Sequence, residues 1–241
     1  MRERQPIFNV PGVVGALAVS FLGIHALRAL IPEEQAAWLT AVLAFIPARL
    51  SGLAHELPGG DVAGVTQFVT HMFVHGDWTH LAVNSAWLLA FGTPVARRIG
   101  WLRFLAFFVL CGIAGALVYL AFSRGAFSMM VGASGAISGL MGAAFRFLFH
   151  AFSTGDTEGL AGKKPEPPLM PLAATFRDRR VLLTVIGWTV LNSVMAWGAA
   201  GLVDGASIAW EAHLGGFYMG LLAFGLFDRS PPIQHDAAPA E

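Results

Sequence analysis

Residues 131–142 read VGASGAISGLMG, and this stretch decides the fold because it begins a long apolar segment with small and hydroxyl-bearing residues. Ser134 and Ser138 stand in it among four glycines, with no charged residue. A polar group inside a lipid bilayer is expensive and calls for a reason. Gly132 and Gly135 allow a sharp turn and a close approach of other groups beside Ser134. From this stretch alone, Ser134 is a packing residue, a helix cap or a nucleophile.

The composition of the chain places it in the membrane class. Of its 241 residues 56% are hydrophobic and 12% charged, and the mean hydropathy is +0.63. Soluble proteins usually carry about 25% charged residues, and a soluble fold of this size could not bury so much apolar surface. The single cysteine, Cys111, excludes an intramolecular disulfide and any cysteine-based metal motif.

Six apolar segments have about the 17–25 residues that a helix needs to cross a bilayer. They lie at about 9–31, 80–96, 101–122, 133–151, 181–200 and 207–227. The second is diluted by His80 and Asn84, and we expect its helix to begin earlier, near Thr66, and to cover 66–96. Because the runs are continuous rather than alternating, we expect an all-α membrane protein with six transmembrane helices. This bundle would occupy residues 1–228, followed by a disordered cytoplasmic tail at 229–241.

The basic residues predict the orientation. If the N-terminus is cytoplasmic, 12 of the 15 basic residues fall in cytoplasmic segments, and both termini lie on that side. The first segment is then a retained span rather than a cleaved signal. Residues 32–65 form an outer loop whose apolar first half suits an interfacial helix, and residues 152–180 form a proline-rich inner loop. Short termini and compact helices favour a bacterial inner membrane.

Ser134 and His213 are predicted near the outer ends of the fourth and sixth helices. Small residues line one face of the fourth helix: Gly132, Ala136, Gly139 and Ala143. On the sixth helix, Gly216 and Gly220 form a GxxxG pair that follows His213. Such faces let two helices approach closely, which would bring the hydroxyl and the imidazole together. Glu211 precedes His213 by two residues and faces elsewhere, so a Ser–His dyad is expected. A packing serine and a structural histidine remain the alternative.

The second helix begins with HMFVHGDWTHLAVN, residues 71–84. His80 and Asn84 are one helical turn apart and can aim donors at a developing oxyanion. His71 and His75 are expected to hold the outer loop by hydrogen bonds. The histidine spacing also suits zinc, but no carboxylate or thiolate accompanies it at depth, so no metal is expected.

The chain resembles the rhomboid intramembrane serine proteases across residues 5–228, through three motifs that follow one another along six helices: the 71–84 motif, GASG (132–135) and EAHLGG (211–216). The resemblance implies that Ser134 is the nucleophile and His213 its general base. It also implies an oxyanion hole lined by His80, Asn84 and the Ser134 N–H. Four glycines would support the site: Gly132, Gly135, Gly216 and Gly220. The implied substrates are single-span transmembrane proteins, which are cut near the outer face of the lipid bilayer. The resemblance implies no cofactor or metal, and no nucleic acid is expected as a partner.

The chain departs from the family pattern in two places. Ser138 stands where some relatives have an aromatic residue that supports the catalytic histidine, so other contacts must hold His213. Arg49 lacks the tryptophan that precedes the corresponding arginine in many relatives. The main alternative function is a catalytically inactive rhomboid-like protein that binds client transmembrane helices. A transporter and a membrane metalloenzyme are more distant alternatives.

Overall fold

The computed structural model describes residues 10–155, 167–202 and 209–229, and within these ranges the chain is helical, joined by turns. The α-helices, in chain order, are α1 (Gly12–Leu30), α2 (Glu33–Leu43), α3 (Gly60–Thr70), α4 (Trp78–Trp87), α5 (Thr93–Ile99), α6 (Trp101–Phe122), α7 (Ser134–Thr154), α8 (Leu172–Arg177), α9 (Arg179–Leu202) and α10 (Trp210–Ala223). Short 3-10 turns occupy Pro47–Ser51, Ala54–Glu56, His71–Phe73 and Phe224–Leu226, and a π-turn occupies Leu88–Gly92.

The prediction of an all-helical membrane fold is confirmed for the residues that the structure describes. Among the described helices, α1, α6 and α7 are long and apolar enough to cross a membrane on their own, with 19, 22 and 21 residues. The full set of six spans stays a prediction. The expected disorder of the tail, and much of the expected flexible inner loop, concern residues 230–241 and 156–166, which lie outside the described residues.

The segment 66–96 is not one helix, which corrects the prediction for it. Helix α3 ends at Thr70, and a turn separates it from α4. Asp77 caps α4, since its side chain accepts a 2.8 Å hydrogen bond from the backbone N–H of His80. Gly76 and Asp77 favour a turn over a continuous helix, so the helix that carries His80 and Asn84 starts only at Trp78.

Three helices pack backbone against backbone at the centre of the fold. A Cβ atom on Gly216 would collide with the carbonyl oxygen of Gly135, and one on Gly220 with that of Gly139. This register makes α7 and α10 parallel, so that both begin at the same end of the bundle. We call this end, which carries Ser134, the site end. On α7 the glycines that meet α10 are Gly135, Gly139 and Gly142.

This contact differs from the small-residue face predicted for α7. Only Gly139 belongs to both, whereas Ala136 and Ala143 are buried in the main apolar cluster instead. Helix α6 runs antiparallel to the other two, because Cys111 packs at Gly139 and Gly216 while Phe107 contacts Phe224 at the far end. Several fully buried rings fill that far half; they are Phe104, Phe107, Phe108, Phe147 and Phe224.

Arg49 organises the loop between α2 and α3. Its guanidinium donates to the carbonyl oxygens of Ala44 at 2.8 Å and Pro58 at 2.9 Å, to that of Ala41, and to Gln67 Oε1 at 3.2 Å. Burial lowers the pKa of Arg49, although a guanidinium stays protonated in proteins. These bonds supply its role without a neighbouring tryptophan: the arginine gathers otherwise unpaired loop carbonyls.

A two-residue antiparallel bridge joins this loop to the segment that leads into α7. Phe45 and Met130 exchange backbone hydrogen bonds of 2.9 Å in both directions, and the N–H of Ala48 donates to the carbonyl of Ala126 at 3.0 Å. Helix α2, expected at the interface, buries no residue and leaves Trp38 57% exposed. The loop is therefore attached to the bundle by the Phe45–Met130 bridge and by the bonds of Arg49 and the Ile46 N–H to Gln67 on α3, and not by buried side chains of α2.

An ion pair joins distant parts of the chain at the far end. Arg98 Nη2 lies 2.8 Å from Asp228 Oδ2, with the two side chains 1% and 2% exposed. Arg98 also donates to the carbonyl of Pro167 at 2.6 Å, and its guanidinium lies 4.8 Å from the ring centre of Phe147. The end of α5 is thereby fastened to the residues that follow α10.

We predict that Gly220→Ala destabilises the protein. The added methyl group meets the backbone of Gly139, which cannot rotate away, and overpacking of this kind costs about 1–3 kcal/mol. Gly23→Ala in α1 is the matched control, because nothing lies within 4 Å of a Cβ there. The measurement is the thermal unfolding midpoint in detergent. Equal midpoints for the two variants would contradict the close contact.

We also predict that Asp228→Ala lowers stability, because it leaves the Arg98 charge buried without its carboxylate partner. Breaking a buried ion pair on one side costs about 3–5 kcal/mol. Arg124→Ala is the control, since Arg124 is exposed in a loop. Unfolding in denaturant would measure both variants, and a loss no larger for Asp228→Ala than for Arg124→Ala would count against the pair as a fastening.

Candidate active site

Ser134 is the first residue of α7, and a glycine turn delivers it there. Gly132 has φ +114°, a conformation that side chains rarely adopt. Its N–H donates to the carbonyl of His71 at 2.9 Å, and a Cβ on it would lie 2.7 Å from His80 Nε2. Gly132 is thus required twice, for the turn and for the space beside His80. The free N–H groups of the first helical turn point out of the end of α7, where they favour negative charge.

The structure brings Ser134 and His213 into direct contact. Ser134 Oγ lies 2.8 Å from His213 Nε2, across 79 residues of sequence. His213 sits in the first turn of α10, one turn before Gly216, and Ser134 directly precedes Gly135. The backbone contact between Gly135 and Gly216 therefore sets this distance. The sequence predicted the pair, and the register of the glycines explains it.

Asn192 on α9 holds the other side of the imidazole, and sequence reasoning missed it. Its Oδ1 lies 2.9 Å from His213 Nδ1, and its Nδ2 donates to the carbonyl of Trp188 at 2.9 Å. The bond to Trp188 fixes which end of the amide faces the imidazole, so Oδ1 accepts from Nδ1–H. Nε2 then carries the lone pair and accepts from the Ser134 hydroxyl. An isolated asparagine in the fifth apolar segment was the available signal.

This asparagine answers the question raised by Ser138. Ser138 is 5% exposed and lies one turn along α7, while the support that an aromatic residue would give comes from the Asn192 amide. Both ring nitrogens of His213 are engaged by neutral groups. The third group of the constellation is consequently an amide and not a carboxylate, which agrees with the expected lack of a triad acid.

His80 and Asn84 lie on α4 beside the Gly132 turn. The N–H of Gly76 reaches His80 Nδ1 at 3.4 Å, which leaves Nε2–H free to donate towards the turn. Asn84 is 3% exposed, and its Nδ2 donates to the carbonyl of His80 at 2.9 Å. An amide nitrogen has two hydrogens, so one remains for a further acceptor. Each side chain therefore has a donor left, and that of His80 lies beside the turn that leads into Ser134.

The two histidines expected to hold the outer loop behave differently. His71 bonds neighbours outside residues 32–65: its Nδ1 lies 2.8 Å from the carbonyl of Gln67 in α3, and its own carbonyl accepts from the Gly132 N–H before α7. The His75 ring instead is fully buried with no hydrogen-bond partner at either nitrogen. It packs on the rings of Phe21 and His80, with centroids at 5.1 and 5.3 Å. The carbonyl of His75 accepts a 2.7 Å hydrogen bond from Arg28 at the end of α1, so this bond joins His75 to α1 and not to the outer loop.

No group of three or more metal-binding side chains occurs within residues 10–155, 167–202 and 209–229. The chemistry that the arrangement can support is nucleophilic. A hydroxyl bonded to the lone pair of an imidazole is an activated nucleophile. The His80 imidazole beside Gly132 and the N-terminus of α7 lie close to it, and such groups can stabilise negative charge that develops during attack on a carbonyl.

The chain is similar to mitochondrial rhomboid protein 1 of Saccharomyces cerevisiae, with 30% identity over 62% of this chain and 38% of the relative. It is also similar to the chloroplastic Rhomboid-like protein 11 of Arabidopsis thaliana, with 42% identity over 31% of this chain and 26% of the relative. The matches thus span well under half the length of these relatives. The family profile described as the rhomboid domain matches residues 62–229, which include every site residue above, and the chain therefore belongs to the rhomboid family of multi-pass membrane proteins.

Proposed function

We propose that this protein is an intramembrane serine endopeptidase in which Ser134 and His213 form the catalytic dyad. The single observation that carries the proposal is the 2.8 Å contact between Ser134 Oγ and His213 Nε2. A packing serine would not need an imidazole lone pair, and a structural histidine would not need a hydroxyl at the start of a helix. Membership of the rhomboid family, whose members are generally intramembrane serine proteases, adds support.

The proposed reaction begins when Ser134 Oγ attacks the scissile carbonyl carbon. The hydroxyl proton moves to His213 Nε2, and the carbonyl oxygen takes up negative charge. The imidazolium then gives this proton to the leaving amine, which leaves an acyl group on Ser134. Water, deprotonated by the same imidazole, releases the acyl group and restores the hydroxyl.

The negative oxygen needs donors, because it forms in surroundings that are poor in water. Three are available in the arrangement: His80 Nε2–H, the second Nδ2 hydrogen of Asn84, and the backbone N–H of Ser134. Preorganised donors stabilise developing charge more strongly in a low-dielectric site than in water. Together they form the proposed oxyanion hole.

The proposed substrates are single-span transmembrane proteins, cut near the outer membrane face. A helical substrate shields its scissile carbonyl, so it must unwind locally, and residues with low helix propensity favour that step. Substrate entry past α9 fits its exposed apolar face, which includes Ile186, Val190 and Val194. Six spans with both termini in the cytoplasm agree with the positive-inside distribution. A bacterial inner membrane remains a prediction from the sequence.

The competing proposal is an inactive rhomboid-like protein that binds client helices. It requires the same fold but no reaction at Ser134. The intact hydroxyl–imidazole contact favours the protease, because a binding protein gains nothing from that proton acceptor. Labelling of the serine decides between the two.

We predict that wild-type protein in detergent reacts with a fluorophosphonate probe and cleaves a model transmembrane substrate, and that Ser134→Ala does neither. Loss of the nucleophile lowers turnover by about 10³-fold or more. Ser138→Ala is the matched control, since it removes a buried hydroxyl one turn away on the same helix. Labelling that survives in Ser134→Ala would refute the dyad, and a silent wild type would support the inactive alternative.

A further prediction concerns the oxyanion hole. Asn84→Ala slows turnover by about 10²-fold or less, because other donors remain. The double variant with His80→Ala is expected to lose more than either single variant. The measurement is kcat on a transmembrane substrate, with substrate binding measured separately in Ser134→Ala protein. Unchanged rates in both single variants and the double variant would remove these residues from the hole.

A further inference from the structure

Asn192 is a polar side chain in an apolar helix, and its burial calls for a reason. It is 3% exposed, and its neighbours Val190, Leu191 and Val194 on α9 are more than half exposed. A buried amide costs free energy unless it is hydrogen-bonded. Its oxygen and its nitrogen both have partners, and one of these partners is the proposed catalytic imidazole.

The rest of α9 holds this amide at a fixed height against α10. Val181 and Val185 pack with Phe217 and Leu221 in an apolar cluster towards the far end. Closer to the site, Thr189 Oγ1 lies 2.7 Å from the hydroxyl of Tyr218. The Asn192–His213 bond follows one turn further. The side chain that meets the imidazole is thus located by contacts that do not themselves involve His213.

The orientation of the amide determines the form of the imidazole. With Nδ2 committed to the Trp188 carbonyl, Oδ1 can only accept, so it selects the imidazole that carries its proton on Nδ1. That form presents a lone pair at Nε2 to the Ser134 hydroxyl. The opposite form would present N–H to the hydroxyl and could not take its proton.

We propose that Asn192 is a positioning residue, which keeps His213 in the tautomer and ring orientation that make Nε2 the proton acceptor for Ser134. The proposal rests on the proposed function of the Ser134–His213 pair. It makes the working constellation Ser–His–Asn, with one member on each of α7, α10 and α9. The amide takes no proton itself. Its oxygen continues to accept from Nδ1–H when Nε2 becomes protonated.

Two variants of Asn192 separate its acceptor oxygen from its volume. Asn192→Leu keeps a similar size and removes the acceptor, whereas Asn192→Asp keeps an oxygen in the same place. Tyr218→Phe is the matched control for a loosened α9, because it removes the neighbouring bond to Thr189 without contact with His213. Thermal midpoints are measured for all three, so that a loss of fold is recognised.

Two readouts are used on full-length protein in lipid nanodiscs. One is the rate of fluorophosphonate labelling at Ser134. The other is the ¹⁵N NMR signal of His213, assigned by its absence in His213→Gln, which reports whether Nδ1 or Nε2 carries the proton. The NMR readout requires no proteolysis and tests the tautomer even in a protein that cuts no substrate.

We expect wild type to show protonated Nδ1. Asn192→Leu is expected to lose that signature and to label about 10²-fold more slowly, less than the loss caused by an altered carboxylate in a serine protease triad. Asn192→Asp recovers most of the rate, and Tyr218→Phe stays within about twofold of wild type.

The proposal is overturned if Asn192→Leu, folded, keeps both the tautomer and the wild-type rate. It is equally overturned if Tyr218→Phe loses as much as Asn192→Leu, because the effect would then belong to the packing of α9. If Asn192→Leu loses the tautomer that wild type shows, but wild type cleaves no transmembrane substrate, the endopeptidase proposal is refuted and the positioning role of Asn192 stands.

Discussion

The backbone contact between α7 and α10 is the constraint on which the rest of the site depends. Without side chains at Gly135, Gly139, Gly216 and Gly220, the two helices approach until carbonyl oxygens fill the places of the missing Cβ atoms. Lipid offers no hydrophobic driving force between helices, so close packing of this kind must hold them. Because both helices start at the site end, the contact also sets the height of Ser134 against that of His213. A hydroxyl and an imidazole remote in sequence thereby become neighbours.

At the site end, polar side chains form hydrogen bonds with backbone groups that regular secondary structure would otherwise pair. The loop between α2 and α3 has few backbone partners of its own, and unpaired backbone groups are costly away from water. Side chains supply them: Gln67 Oε1 accepts from the N–H of Ile46 at 2.9 Å, and Thr70 donates to the carbonyl of Leu43 at 2.8 Å. Arg49 adds its donors to the same loop. This loop is consequently an ordered part of the site end.

The sequence predicted those features that are encoded locally or by order along the chain. The apolar segments indicated helices, and GASG and EAHLGG indicated the pair that the structure joins. Features that need a register between helices were not accessible. The face of α7 that meets α10 was predicted around Ala136 and Ala143, since spacing alone cannot tell which of two small-residue faces meets which neighbour. Asn192 was not predicted as a site residue because its role depends on contact with His213, which is 21 residues away on another helix. The turn-like residues HGDW at 75–78 were visible in the sequence, but hydropathy averages conceal a capping aspartate, so one helix was still predicted across them.

The bridge between Phe45 and Met130 bears on how the chain can vary in length. Only Val131, Gly132 and Ala133 separate the bridge from Ser134, and the Gly132 N–H is bonded to His71 as well. An insertion or deletion in those three residues would carry the hydroxyl away from its imidazole. The turn at Ser123–Gly125 lies on the other side of the bridge and of the Ala126 bond, and its residues are largely exposed. Extra residues inserted there, such as an epitope tag, would leave the position of Ser134 unchanged.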